Sequence, residues 1–150
     1  MGAITTTAVN ACDAGVWLDN AAGTLIDIGG STNKVDLEFK HELGAHRAFG
    51  TKWQKRLECG KDASFTVAAI YSTTATEASS CIETWYHAVS PGARTLKVYI
   101  PKKNVGAHVY SMEVRIESYK FTADVNDPAA IMMTSVFLPD GEVTYGTAAT

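Results

Sequence analysis

LECGKDASFTVAAIYS (residues 57–72), TATEASSCIETWYHAV (74–89), RTLKVYIPKKN (94–104) and AHVYSMEVRIESYKF (107–121) decide the fold of this chain. The first, third and fourth runs are strand-like. Residues 64–71 are the most thoroughly apolar, as a central strand requires, and Leu96, Val98 and Ile100 alternate with Lys97 and Tyr99. The second run is helical. Ala78, Ile82, Trp85 and Val89 recur at steps of four, three and four, a single apolar stripe to lay on a sheet. The spacing predicts a helix over about residues 75–89, with Thr74 and Glu77 as a capping box and Pro91-Gly92 as the stop. Glu83 and His87 lie off the stripe and read as a solvated i,i+4 pair.

Outward from this centre the strand signal continues. Tyr110, Met112, Val114 and Ile116 share one parity, Tyr119 and Phe121 the other, and the parity changes near Ser118. An extended run from His108 to Phe121 reaches roughly 45 Å, against a radius of gyration near ~15 Å for a domain of this length. It must bend at a bulge or project from the body. Asp127-Pro128 marks a turn, residues 131–138 a strand, and Pro139-Asp140-Gly141 a hairpin turn into residues 142–145. Upstream, residues 16–18 and 24–28 form a hairpin around Asp19-Asn20-Ala21-Ala22-Gly23. Val35, Leu37 and Phe39 then alternate with Asp36, Glu38 and Lys40, the pattern of a half-wet strand. GAHRAFG (44–50) breaks that pattern and reads as a mobile connection. Trp53, Lys55 and Leu57 begin the next strand, with Trp53 turned to the core, and Cys59-Gly60-Lys61-Asp62 turns the chain.

At 150 residues the simplest reading is one domain, 1–150, able to bury about 70% of its unfolded surface. Residues 1–13 read as an N-terminal arm and 139–150 as a C-terminal hairpin or arm. A formal charge of −3 argues against dedicated binding of nucleic acid or anionic membrane. Three cysteines, Cys12, Cys59 and Cys81, signal neither a disulfide framework nor a zinc site and read as thiols in a reducing compartment. The opening MGAITTTAVNACDAGVW has neither a basic n-region nor an apolar h-region, and no run approaches a membrane span. The expectation is a cytoplasmic product without a membrane partner.

No nucleophile elbow, phosphate loop, paired-cysteine zinc motif or EF-hand occurs, so the chain is expected not to be an enzyme and to use no cofactor or metal. His41 and His46 could ligate a metal only with a carboxylate such as Glu42 brought alongside. Asp36/Glu38 and Glu113/Glu117 resemble wet strand faces more than paired catalytic acids. The run Lys52-Trp53-Gln54-Lys55-Arg56 has the composition of a nucleic-acid platform, but an inward Trp53 would leave only solvated cations.

The runs 57–70, 77–89 and 95–121, with polar arms around them, together resemble the tail tube (major tail) proteins of long-tailed bacteriophages, over roughly residues 16–145. The resemblance implies a mainly β fold, a β-sandwich or barrel with one flanking helix and extended loop and terminal arms. It implies a structural virion protein of the tail that assembles in the host cytoplasm into hexameric rings stacked as a hollow tube. Partners would be further copies, other tail proteins, and DNA crossing the lumen without specific binding. Six copies would carry a formal charge of roughly −18, which disfavours adhesion to DNA if acids line the bore. Candidates for that lining are Asp36, Glu38, Glu113 and Glu117. The loop 43–49 is the candidate joint between rings, with Leu43, His46, Arg47 and Phe49. The competing reading is a soluble β-sandwich carbohydrate-binding module with Trp17, Trp53 or Tyr99 as a stacking platform.

Overall fold

The computed structural model describes residues 13–101, 105–126 and 129–149. The expected N-terminal arm apart from Asp13, Cys12, Lys102-Lys103-Asn104 and the Asp127-Pro128 turn lie outside the described residues. In chain order the elements are β1 (Gly15–Asp19), β2 (Leu25–Asp27), β3 (Thr32–His46), β4 (Lys55–Ile70), α1 (Ala78–Tyr86), β5 (Arg94–Ile100), β6 (His108–Thr122), β7 (Met132–Pro139) and β8 (Thr144–Thr147). The fold is mainly β with one short helix among the described residues.

The strands pair antiparallel in the order β2-β1-β5-β6-β7-β4-β3, and β8 also pairs with β6. This refines the expectation of a sandwich or barrel: one open sheet carries every described strand. It nevertheless curls. The Ile28 N–H donates to the Val16 carbonyl on β1 at 2.9 Å, and three residues on, the Ser31 carbonyl accepts from the Ile70 N–H at the end of β4, also at 2.9 Å. A span of about 10 Å therefore ties opposite ends of the strand order together.

α1 fills the concave side. Ala78, Ile82 and Trp85 are buried in a cluster with Val16, Leu18, Phe65, Val67, Leu96, Val114 and Phe137. The Trp85 ring stacks on Phe137 with centroids 5.7 Å apart, its Nε1–H donates to the Gly92 carbonyl at 2.9 Å, and the Arg94 guanidinium lies 4.9 Å above it. That hydrogen bond draws the chain back over the indole. The helix accordingly ends at Tyr86, short of the expected 75–89, and Val89 stands fully exposed beyond it rather than on the core face. The capping box also fails to form: Glu77 is the N-cap residue without a side-chain cap, and the Ala78 N–H donates instead to Ser31 Oγ at 3.1 Å. Opposite Glu83, the Tyr71 hydroxyl donates to the carboxylate at 3.1 Å.

Irregularities along β6 and its neighbours shape the sheet. β6 carries a register shift between Ile116 and Ser118, so Glu117 is the extra residue at the point where the sequence changes parity. Pro139-Asp140-Gly141 does not make the expected hairpin. Pro139 pairs with Val114 and Thr144 with Ser111, so β7 and β8 run in one direction along β6, both antiparallel to it, as one interrupted strand. Asp140 explains the continuity: its N–H donates to the Glu113 carbonyl at 2.7 Å, and its carboxylate receives Arg115 Nε and Nη2 at 2.9 Å each.

The stacked indole is the largest fully buried side chain among the described residues. Trp85→Ala is expected to cost about 3–5 kcal/mol, whereas Val89→Ala should change stability by less than about 0.5 kcal/mol. Urea denaturation of the two variants checks both.

Candidate assembly surfaces

β3 and β4 pair from Thr32↔Ala69 to His46↔Lys55. β7 accompanies β4 only over Phe65–Ile70. Residues 55–64 therefore pair with β3 alone, and the hairpin leaves the sheet as a two-stranded ribbon about 30 Å long. The expected mobile loop 43–49 is thus corrected: Leu43, Gly44, Ala45 and His46 belong to β3, opposite Glu58, Leu57, Arg56 and Lys55. The expected turn at Cys59-Gly60-Lys61-Asp62 is likewise inside β4. Glu42 faces Gly60 while Leu43 faces Glu58, so Cys59 is the extra residue of a bulge. Gly44 lies across from it, where an added Cβ would sit 3.0 Å from Cys59 Sγ. Close approach, not a chain break, is what this glycine serves.

The ribbon tip comprises residues 47–54. Phe49 is fully exposed and Trp53 is 87% exposed, so the expectation of a core-facing Trp53 is overturned. A two-stranded ribbon has no core side for parity to select. Residues 47–56 carry Arg47, Lys52, Lys55 and Arg56 and no acid. Leu43 and Leu57 add apolar surface along the ribbon. Exposed apolar groups gathered on a projecting element mark a surface that another molecule covers. His41 does not join His46 and Glu42; its Nδ1 pairs with Glu58 at 3.4 Å, and no metal-competent cluster occurs among the described residues.

The convex face of the sheet, away from α1, has a different character. Asp36 stands opposite Thr66 and Glu38 opposite Ser64, on the side of β4 turned away from buried Phe65 and Val67. Glu113 shares this face, between buried Met112 and Val114. Three of the four lumen candidates are thus brought to one surface, while Glu117 sits at the β6 bulge. Cations and a hydroxyl stand beside them. Lys34 holds Asp36 at 2.8 Å, Lys40 holds Glu38 at 3.3 Å, and Thr95 Oγ1 donates to Glu113. Lys97, Arg115 and Lys120 stand on the same face by register. Both lysine pairs are more than half exposed, so each is worth under about 1 kcal/mol.

The proposed carbohydrate platform is not assembled. Tyr99 is buried, Trp17 is half-buried on the neighbouring strand, and Trp53 lies at the ribbon tip. Shifted proton affinities gather at the helix seam instead. The hydrogen bond to Glu83, then its charge, raises the Tyr71 pKa, and burial raises that of Tyr119. Burial also raises the Cys81 pKa, against the opposing pull of Arg94, and lowers that of Arg94.

No protein-family model matches this sequence, and no curated protein matches it either. Solved structures do. The tail of an empty gene transfer agent particle, refined with C6 helical symmetry, superposes with a TM-score of 0.74 over 93% of this chain and 100% of that one, at 15% identity. The SPP1 tail tube matches with a TM-score of 0.75 over 95% of this chain and 81% of that one, at 11% identity. This is the tail tube fold. A chain of the six-fold symmetrised anti-feeding prophage baseplate shares it, with a TM-score of 0.73 over 98% of this chain and 100% of that one, at 11% identity. At such identity the likeness is one of backbone, and the roles of residues rest on the geometry of this chain.

Cys59 is exposed on the ribbon and Cys81 is buried on α1. Iodoacetamide at pH 8 is expected to modify Cys59 at least about tenfold faster than Cys81, whose thiolate is both occluded and disfavoured. Peptide mass mapping of the native protein resolves the two sites.

Proposed function

We propose that the chain is the structural subunit of a tail tube: copies close into hexameric rings, rings stack into a hollow conduit, and DNA crosses the lumen during ejection from a phage-like virion. The observation that carries this reading is the β3–β4 ribbon. It continues about 30 Å past its last backbone pairing with a third strand and ends in an exposed aromatic and cationic tip. In a monomer such a ribbon exposes edges and apolar surface at a cost. Between stacked rings it becomes a strap. The C6 symmetry of the gene transfer agent tail supports sixfold closure for a chain of this fold.

The convex face is the side we assign to the lumen. Its central positions, Ser64, Thr66 and Ala68 on β4 and Thr134 and Val136 on β7, are small, and its acids stand next to cations. At these central positions a passing polyanion finds no aromatic ring to stack upon, and the acids beside Lys34 and Lys40 weaken the field of those cations. DNA would then slide rather than adhere. Localisation in the tail, assembly in the host cytoplasm, contact with other tail proteins and a non-enzymatic role belong to the same reading.

The test is imaging of purified protein with a shortened ribbon. Replacing residues 47–54 by Asn-Gly gives the two strands a two-residue turn and leaves the core untouched. The parent chain is expected to form rings or tubes by negative-stain electron microscopy, and the shortened chain to remain folded by circular dichroism but to form none. Tubes of normal length from the shortened chain would remove the ribbon from the joint. A parent chain that stays monomeric at high concentration would defeat the whole reading.

A further inference from the structure

Where β7 passes into β8, the sheet splits. On one side runs β4, whose residues 55–64 lack a second neighbour, and on the other runs β8, which pairs with β6 alone among the described residues. Between them lies a cleft of about 410 Å³. Its apolar wall is a continuous row of rings drawn from three strands. Phe39 lies 5.2 Å from Tyr110, Tyr110 lies 5.1 Å from Tyr145, and Tyr145 lies 5.6 Å from His108, centroid to centroid. The Tyr145 hydroxyl and His108 Nδ1, 2.7 Å apart, lock the outer end of the row. Phe39 is 47% exposed and Tyr145 62% exposed, so the row is built but uncovered.

We infer that this cleft is the receptor for the ribbon tip of a second copy, with Phe49 and Trp53 seated against the row of rings. The assignment rests on the self-assembly proposed above. Size agrees, since the volume lies within the range of sites that enclose ligands of one or two rings. Chemistry agrees too. Aromatic side chains gain from offset or edge-on contact with such a row, and Arg47 and Lys52 beside them gain from its ring faces. The cleft also presents the carboxylates of Asp62 and Glu142; of its two lysines, Lys40 is held by Glu38 and Lys61 remains. The tip brings only cations to this mixed wall. A copy cannot fill its own cleft, because the cleft lies at the root of the ribbon and the tip stands about 20 Å further out along the strands.

The experiment uses the full chain with p-benzoylphenylalanine in place of Trp53, mixed with an equal amount of isotopically heavy unmodified protein and irradiated. Light–heavy crosslinks are expected at residues 39–41, 108–110 or 141–145, and Tyr145→Ala in the heavy partner should reduce them about tenfold, the weight of one interface hot spot. Crosslinks elsewhere, in preparations that show rings or tubes, would overturn the receptor and leave the tube reading standing. A chain that stays monomeric would overturn both, and Tyr145-dependent retention on an oligosaccharide resin would then make the row a carbohydrate platform. Should the probe prevent assembly, sedimentation of Trp53→Ala, Tyr145→Ala and their combination decides. Non-additive losses support the contact, and strictly additive ones overturn it.

Discussion

The backbone of a β-strand must satisfy hydrogen bonds on both edges, and most of the structure turns on where this chain fails to do so. Over Phe65–Ile70, β4 lies between β3 and β7, and Phe65, Val67 and Ala69 are buried. Ten residues earlier in the same strand neither condition holds. An isolated two-stranded hairpin is marginal in water, so the distal ribbon borrows its order from the sheet it grows out of. The borrowing is possible because β4 is continuous. One strand carries a buried half and a wet half, and the register fixed by Phe65 and Val67 propagates outward to His46↔Lys55.

Bulges control where this propagation goes. At Cys59 the extra residue adds local twist to the ribbon, and Gly44 opposite makes room for the displaced thiol. At Glu117 a second bulge resets the parity of β6 so that Ile116 and Tyr119 can both face the core side. The third interruption, at residues 140–143, leaves β8 on β6 while β4 diverges. Arg115 and Asp140 hold that junction, and the divergence creates the aromatic cleft. The projecting ribbon and the cleft at its root thus have a common origin in the point where β4 and β7 part.

Much of this was legible from the residues, and the failures have physical causes. Alternation revealed β3 and β6, and even the parity change in β6, because a wet and a dry face impose period two. The helix was legible from Ala78, Ile82 and Trp85, whereas Val89 continued the period past a terminus set by the Trp85–Gly92 hydrogen bond. Ser31 caps that helix from 47 residues away, a contact no local pattern encodes. GAHRAFG looked like a break because glycine usually is one; here Gly44 answers a neighbour on the partner strand. Trp53 was misplaced for a deeper reason. Parity arguments presuppose a core, and the ribbon has none.

The energetics of the proposed assembly follow from the same geometry. Burying Phe49 and Trp53 could contribute about 3–6 kcal/mol, a sum comparable with the cost of immobilising one protein on another. A single ribbon contact would therefore hold two copies weakly. In a ring the copies are already fixed relative to one another, so each further contact is intramolecular and pays that cost only once. In the proposed ring, six weak straps would act as one strong joint, and a stray monomer bound by one strap would dissociate before it could misplace itself. Weakness per contact would allow growth to proceed ring by ring. The same logic bears on the convex face, where paired acids and cations would compete only weakly with the straps for the tips of neighbouring copies.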